Sequence, residues 1–420
     1  MNEEFLQYIW ANKLFNKPQK TECGKDIEII SIGELNKDSG PDFFNAKIKI
    51  DNTIWAGNVE IHTNSLNWYN HKHHLDKAYN NTILHVVEKN DGEVTLENGQ
   101  ILPAVKITYD KKYTNNYLNL ISEPQIIKCS KKLKVINEIE LTFWLQHLLI
   151  DRIQKKTEQF LTILNQNNND WEESFYILTA QYFGFKVNSL PFQLLAKSTP
   201  QKILAKYKSN HQSIEAILFG QSGLLPKKTD NKYIASLINE YSFIQHKHNL
   251  QPIEAHLWKF MRMRPMGYPT IRISQFAQLI SKSQSLFSKI IETETIHSLI
   301  KLLNCETSDY WINHFIFEKK SDNKRKPLGK TSVYGLILNV VVPTLFAWGE
   351  HTENILYKER GLNFIEKIPN EQNSIINEWK KIGIKPKKSS DTQALLHLYN
   401  NYCKKSNCVN CRIGHLLIKK

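Results

Sequence analysis

Glycine and proline are both scarce in this chain, at 16 and 14 of 420 residues. That excludes collagen-like and low-complexity material. Cysteine is scarcer, at six, too few for a disulfide scaffold. No apolar run reaches the roughly 18 residues of a membrane span. The closest, Val333 to Trp348, is interrupted by Asn339 and Pro343 and reads as a buried core helix. The opening MNEEFLQYIW is acidic where a signal peptide is basic. A cytoplasmic protein with no membrane partner is expected. Arginine is nearly absent, with seven in all.

What is present suffices for a sizeable core: 41% of residues are hydrophobic and 23% charged. The net charge is +14 and unevenly placed. Residues 1–125 carry 13 Lys against 17 acids, a balance of −4; residues 126–420 carry 42 Lys+Arg against 24 acids, a balance of +18. A basic second part attracts polyanions such as nucleic acid, unless the lysines merely solvate its faces.

Two textures divide the chain. Up to about residue 108, helix and strand signals mix. Phe5 to Phe15 reads as an amphipathic helix, Asp26 to Glu34 as a strand, and Leu66 to Tyr79 as a helix. Phe43 to Asp51 and Thr53 to Thr63 read as a hairpin turning at Asp51-Asn52. Thr82 to Glu88 is a buried strand, and a further hairpin surrounds Asn98-Gly99. Beyond about residue 136 the apolar spacing is helical through 138–164, 171–184, 232–248, 252–262, 273–304, 331–348 and 390–402. The expected organisation is an α+β domain over 1–125 followed by a mainly α-helical, basic domain over 126–420. Leu218 to Leu225 (LFGQSGLL) lacks the Lys-Ser/Thr of a phosphate-binding loop and reads as a helix C-terminal turn.

The densest chemistry lies between residues 34 and 85, which hold all five histidines of the first 125 residues. Hairpin pairing that sums to about 104 sets Asp42 opposite His62, with Glu60 one pleat away and on the face of His62. Two carboxylates and an imidazole at one sheet end suit a divalent cation such as Mg²⁺ or Mn²⁺. Such an ion lowers the pKa of bound water and neutralises phosphoryl charge. His71, His73 and Asp76 offer a second ligand set able to join Glu60 and His62, or else to anchor a helix to the sheet. His85, inside ILHVV, reads as a core histidine.

The order helix, Pro-Asp, Glu-x-base, helix, strand resembles the PD-(D/E)XK nuclease core over about 90 residues. Pro41-Asp42 matches the first motif and Glu60-Ile61-His62 the second, with His in place of Lys; Glu4 stands for the acid of the first helix. An imidazole can accept a proton but supplies no permanent charge. Nearly the whole chain also resembles a bacterial family, domain-of-unknown-function family 2851. The resemblance rests on SGPDFFNAKI, GNVEIH, the Trp68-His71-His73-Asp76 pattern, ILHVV, LFGQSGLL, RMRPMGYPTIRISQFA at 262–277 and YCKKSNCVNCRIG at 402–414. That family implies no reaction.

Arg262, Arg264 and Arg272 cluster in a chain that otherwise uses Lys. Their fork geometry suits backbone phosphates, or an internal ion-pair knot with Glu254 or Asp151. Cys403, Cys408 and Cys411 are spaced to wrap one zinc ion or an iron–sulfur cluster, with His415, His397 or Cys305 as the fourth ligand.

The function expected is that of a metal-dependent nuclease cleaving DNA or RNA. Asp42 and Glu60 would hold the ion, His62 would position or deprotonate water, and the three arginines would grip the backbone. The alternatives are a non-catalytic nucleic-acid-binding or assembly protein with a degenerate nuclease core, and a hydrolase of small phosphorylated substrates built on His71, His73 and Asp76.

Overall fold

The computed structural model describes residues 2–18, 20–282 and 285–420. It is an α+β protein, with a mixed sheet in the N-terminal region and a mostly helical remainder. The chain forms two compact units. The first comprises Met1–Trp144 with Lys381–Gly383 and Leu398–Lys420; the second comprises Leu145–Lys380 and Ile384–His397. The first therefore extends past residue 125 and takes in the cysteine-bearing C-terminal segment, which the sequence reading had placed with the helices.

In the first unit, helix α1 (Glu3–Ala11) starts where the Asn2 side chain accepts the Phe5 N–H, with Glu3 and Glu4 in its first turn. Its Phe5, Leu6 and Ile9 are buried. Strands β1 (Ile27–Ser31), β2 (Phe43–Ile50), β3 (Thr53–Asn64), β4 (Thr82–Lys89) and β5 (Ala104–Lys106) lie in spatial order β1-β2-β3-β4-β5. The first three pair antiparallel and the last three parallel. The Asp51-Asn52 turn closes the β2–β3 hairpin as expected, with Ile50 opposite Thr53.

The register differs from the expected one. Lys47 pairs with Ala56 and Ile50 with Thr53, a sum of 103, and a bulge between Phe43 and Ala46 brings Phe43 opposite Val59. Asn45, in the bulge, has a left-handed φ of 55°. The turn register moves the position opposite Asp42 from His62 to Ile61, and the extra residue moves it once more, to Glu60.

Strand β3 changes character along its length. Thr53 to Ala56 are exposed, whereas Gly57 to His62 are all buried. The change coincides with parallel pairing to β4, which starts at Asn58 and Thr82. Between these strands the expected helix at 66–79 breaks into the four-residue Asn67–Asn70 and two 3₁₀ turns, His73–Leu75 and Lys77–Tyr79. Lys72, at φ 61°, ends the first of these pieces. Trp68 and Tyr79 of this segment are buried with Val94, Leu96 and Leu102. The turn at Asn98-Gly99 is present as a single bridge, Thr95 to Ile101.

The second unit is helical, as its periodicity predicts, but its boundaries differ. Helices Trp171–Phe183 and Lys232–His248 match their segments. Residues 252–262 form only the 3₁₀ turn Ala255–Leu257, and the segment ends at the left-handed Arg262. The span 273–304 is divided into Pro269–Lys282, Leu286–Glu292 and Ile296–Leu303; its residues 283 and 284 lie outside the described residues. Helix His211–Gln221 ends at LFGQSGLL, where Gly223 adopts φ 71°. The apolar run Lys330–His351 is long and apolar enough to cross a membrane, but 67% of its most apolar stretch is buried within the protein. It is interrupted by a π-helical segment, Ile337–Val341, with Pro343 in the turn that follows.

Gly57 stands where the parallel ladder begins. A Cβ there would lie 2.4 Å from Ile83 Cγ2 and 2.6 Å from the Asn81 carbonyl oxygen. Gly57→Ala should cost about 2 kcal/mol of stability through overpacking, read as a lowered urea midpoint at unchanged m-value. An unchanged midpoint would show that β3 and β4 separate without penalty.

Candidate metal centre

The buried half of β3 carries Glu60 and His62 on one face, and β4 sets His85 level with Glu60. The segment 66–79 folds over this face and delivers His71 and His73. The ligand atoms of His62, His71 and His73 lie within 4.8 Å of one another, the group of that kind found among the described residues. Glu60 Oε1 stands 3.3 Å from His73 Nε2 and 3.6 Å from His62 Nε2. His62 Nε2 is 3.1 Å from His71 Nδ1, and its Nδ1 shares a 2.8 Å hydrogen bond with His85 Nε2. His73 stacks on Tyr79 at 3.9 Å between ring centroids and meets Trp68 edge-on.

Asp42 and Glu60 are tied together through the backbone. The Asp42 N–H donates to Glu60 Oε2 at 3.0 Å, and the Ile61 N–H donates to Asp42 Oδ2 at 3.0 Å. Gln7 of α1 donates to Asp42 Oδ1 at 2.7 Å. The acid that α1 adds to this electrostatic neighbourhood is Glu3, which raises the pKa of both carboxyls. Glu4 instead accepts from Asn410. Asp76 is exposed and caps its own turn by accepting the Ala78 N–H, so it does not join the cluster.

Burial governs the protonation of these groups. Desolvation, then the repulsion of Glu60, pushes Asp42 up to about 7 against the hydrogen bonds of Gln7 and Ile61. Desolvation pushes Glu60 up to about 8. Desolvation and the neighbouring imidazoles push His62 down to about 2 and His85 down to about 3. Around neutral pH the metal-free cluster thus holds neutral imidazoles beside carboxyls that resist ionisation, and the Glu60–His62 contact is not an ion pair.

The donor set fits a divalent ion. His73 Nε2 is buried without a hydrogen-bond partner, and neutral imidazoles are ligands without losing a proton. Three nitrogens and a carboxylate suit Zn²⁺ or Mn²⁺ better than Mg²⁺. Ligation through His62 Nε2 would place the His62 proton on Nδ1, donated to His85 Nε2, so that His85 orients a ligand. The sequence reading assigned His85 to the core. It is fully buried, and nothing in ILHVV distinguishes a core histidine from an orienting one.

The C-terminal cysteines are buried with a fourth, Cys129, in the same unit. Burial and mutual repulsion raise the thiols: Cys129 by Cys411 and Cys408, Cys403 by all three others, and Cys408 up to about 12. Cys411 receives the N–H groups of Gly414 and Ile413 and the Trp144 side chain. Gly414 closes this turn so tightly that a Cβ would fall 1.9 Å from the Cys408 carbonyl oxygen. The thiols do not meet the 4.8 Å spacing of the histidine group. The expected fourth partners are engaged elsewhere: His415 with Tyr8, His397 with Asp151, and Cys305 near Arg272. Cys129 stands alone in sequence, so no spacing pointed to it.

The three arginines part company. Arg262 and Arg264 are exposed in the irregular segment before Pro265. Arg272 turns inward, over the Phe185 ring at 4.4 Å and bonded to Gln275. No ion pair joins them to Glu254 or Asp151 among the described residues; these acids approach His256 and Lys155 instead.

In metal-free protein the folded state keeps a proton on Glu60 up to about pH 8, while the unfolded chain releases it near its ordinary value of 4.5. The folded state then binds more protons across that window, so stability falls as pH rises through it. With chelator present, the urea midpoint of the parent should fall relative to that of Glu60→Gln between pH 5 and pH 8. A constant difference would mean that Glu60 titrates as a solvated carboxyl.

No curated protein and no solved structure matches this chain. One family model matches residues 3–374, and its description is protein of unknown function (DUF2851). The match ends before the cysteine segment and includes the whole histidine–carboxylate cluster. Since it spans most of the chain, the protein belongs to the DUF2851 family.

Proposed function

We propose that this protein is a metal-dependent hydrolase of phosphodiester bonds in DNA or RNA. The observation that carries this reading is the convergence of Glu60 with His62, His71 and His73 at one end of a sheet, beside the part-exposed Asp42. A bound divalent ion would supply Lewis-acid stabilisation of phosphoryl oxygens and an acidified water. Glu60, His62, His71 and His73 would hold it, and His85 would orient His62. The low basicity of His62 makes it a poor general base. Asp42, pushed up to about 7 and reachable from solvent, is better matched to take the proton of an attacking water near neutral pH. The placement of Pro41-Asp42 immediately before β2, with Glu60-x-His62 on the adjacent β3, favours kinship with the PD-(D/E)XK nuclease core. The +18 balance of residues 126–420 favours a polyanionic substrate, with exposed Arg262 and Arg264 as backbone contacts.

The test is cleavage of single- and double-stranded DNA and RNA with Mn²⁺, Zn²⁺ or Mg²⁺ added. Asp42→Asn and Glu60→Gln should each slow turnover by about 10²- to 10⁴-fold. Metal-loaded parent protein that cleaves no nucleic acid would replace this reading with hydrolysis of small phosphorylated substrates.

We further propose that Cys129, Cys403, Cys408 and Cys411 hold a structural zinc ion or iron–sulfur cluster. Four buried thiols that raise one another's pKa favour this, because a cation would relieve both their burial and their repulsion. Protein purified without chelator should contain about one zinc per chain, or iron with visible absorbance, at this site. Cys129→Ser should lose that metal and lower the melting temperature. Equal metal content in Cys129→Ser and parent would remove Cys129 from the site.

A further inference from the structure

The helical unit contains a pocket of about 350 Å³ that neither the sequence reading nor the proposed reaction uses. Lys156 of helix Glu138–Gln166, Tyr182 of helix Trp171–Phe183, Phe185, Lys186 and Asn339 line it. Two guanidinium groups stand behind this lining, each in contact with one of its residues. Arg152 donates to Asn339 Oδ1 at 3.2 Å and to Gln393 Oε1 at 3.0 Å; Arg272 lies over the Phe185 ring.

These cations have little counter-charge close by. Among the described residues, no carboxylate forms an ion pair with Arg152, Lys156, Lys186 or Arg272. Arg152 and Arg272 bond only to neutral oxygens, the Lys156 amine has no protein acceptor, and Arg272 Nε is buried without a partner. The nearest acid acting on Arg152 is Glu371, whose oxygens accept from Gln393 and Asn373. Burial lowers the pKa of Lys156, helped by the repulsion of Arg152, and pushes Arg272 down to about 10. Gathering unpaired cations around a cavity costs stability unless an anion joins them.

Part of the lining is set by unusual backbone. Asn339 sits in the π-helical segment Ile337–Val341, and its amide donates to the Gly335 carbonyl. Such segments often mark functional positions. Gly335 leaves room for the Tyr182 hydroxyl: a Cβ there would lie 1.6 Å from it. Tyr182 and Phe185 add aromatic surface beside the cationic groups.

We propose that this pocket binds a phosphate-bearing small molecule of up to mononucleotide size, its phosphate held by Lys156 with support from Arg152 and Arg272. The shared chemistry is a phosphate dianion; it comes either free or on an organic body that uses the aromatic wall.

Calorimetric titration at low salt tests this, with chelator present so that the histidine–carboxylate cluster takes no part. The probes are inorganic phosphate, adenosine 5′-monophosphate and adenosine. The parent should bind phosphate and the monophosphate, but not adenosine. Tighter binding of the monophosphate than of phosphate would assign an organic ligand, and equal binding a free phosphate. Lys156→Gln should weaken binding by at least about tenfold, the scale of one charge-assisted hydrogen bond. Without ligand, Lys156→Gln should melt at or above the parent temperature, since it removes an unpaired charge; a purely structural lysine would lower it. Lys186→Ala, at the exposed rim, serves as a second variant and should weaken binding less. The inference fails if the parent binds neither phosphate nor the monophosphate, if adenosine binds as well as its monophosphate, or if Lys156→Gln binds as tightly as the parent.

Discussion

The parallel pairing of β3 with β4 is the constraint on which the histidine–carboxylate cluster depends. It begins at Asn58 and carries Gly57 to His62 from an exposed hairpin into a buried sheet interior. A carboxyl and two imidazoles are thereby taken out of water on neighbouring strands. Desolvation then holds Glu60 protonated and His62 and His85 neutral. A divalent cation, as proposed, would reverse the cost for Glu60 and use the imidazole lone pairs that burial leaves uncharged.

A second buried acid shows what a purely structural carboxylate looks like in this chain. Glu215, in the helical unit, accepts from Ser274, Ser308, Trp311 and Tyr233 and is 1% exposed. Its acceptor capacity is met by four donors. Glu60 is 5% exposed and, among the described residues, receives a hydrogen bond only from the Asp42 N–H, while its other oxygen faces His62 and His73. Buried polar groups without enough partners are costly, and in this position the missing partner has the character of a cation.

The same contrast holds for cations. Lys326 is 1% exposed, and its ammonium donates to the carbonyls of Trp311, Ile312 and Lys324. Lys156 has no protein acceptor among the described residues and opens on a cavity. The protein therefore satisfies buried charge internally in some places and leaves it unmet in others. The unmet places are an acidic cluster with free lone pairs and a basic pocket with free donors.

Much of the architecture was legible in residue order alone. Period-two alternation located β2 and β-rich composition located β3, the Asp51-Asn52 pair marked their turn, and apolar spacing separated an α+β region from a helical one. These are local signals, set by backbone geometry and side-chain direction. The candidate residues Asp42, Glu60, His62, His71 and His73 were also marked by sequence, since reactive types crowd a short stretch. What sequence could not decide was partnership. A one-residue difference in turn register and one extra residue at the Asn45 bulge together shifted Asp42 from His62 to Glu60, and neither leaves a periodic trace. Lys72 broke an expected helix and so brought His71 and His73 over the sheet while leaving Asp76 outside. The placements of His85 and Cys129, the inward turn of Arg272 and the approach of Arg152 to the pocket residue Asn339 arise from contacts between residues distant in the chain. Such contacts depend on packing and desolvation, which exist only once the tertiary structure has formed.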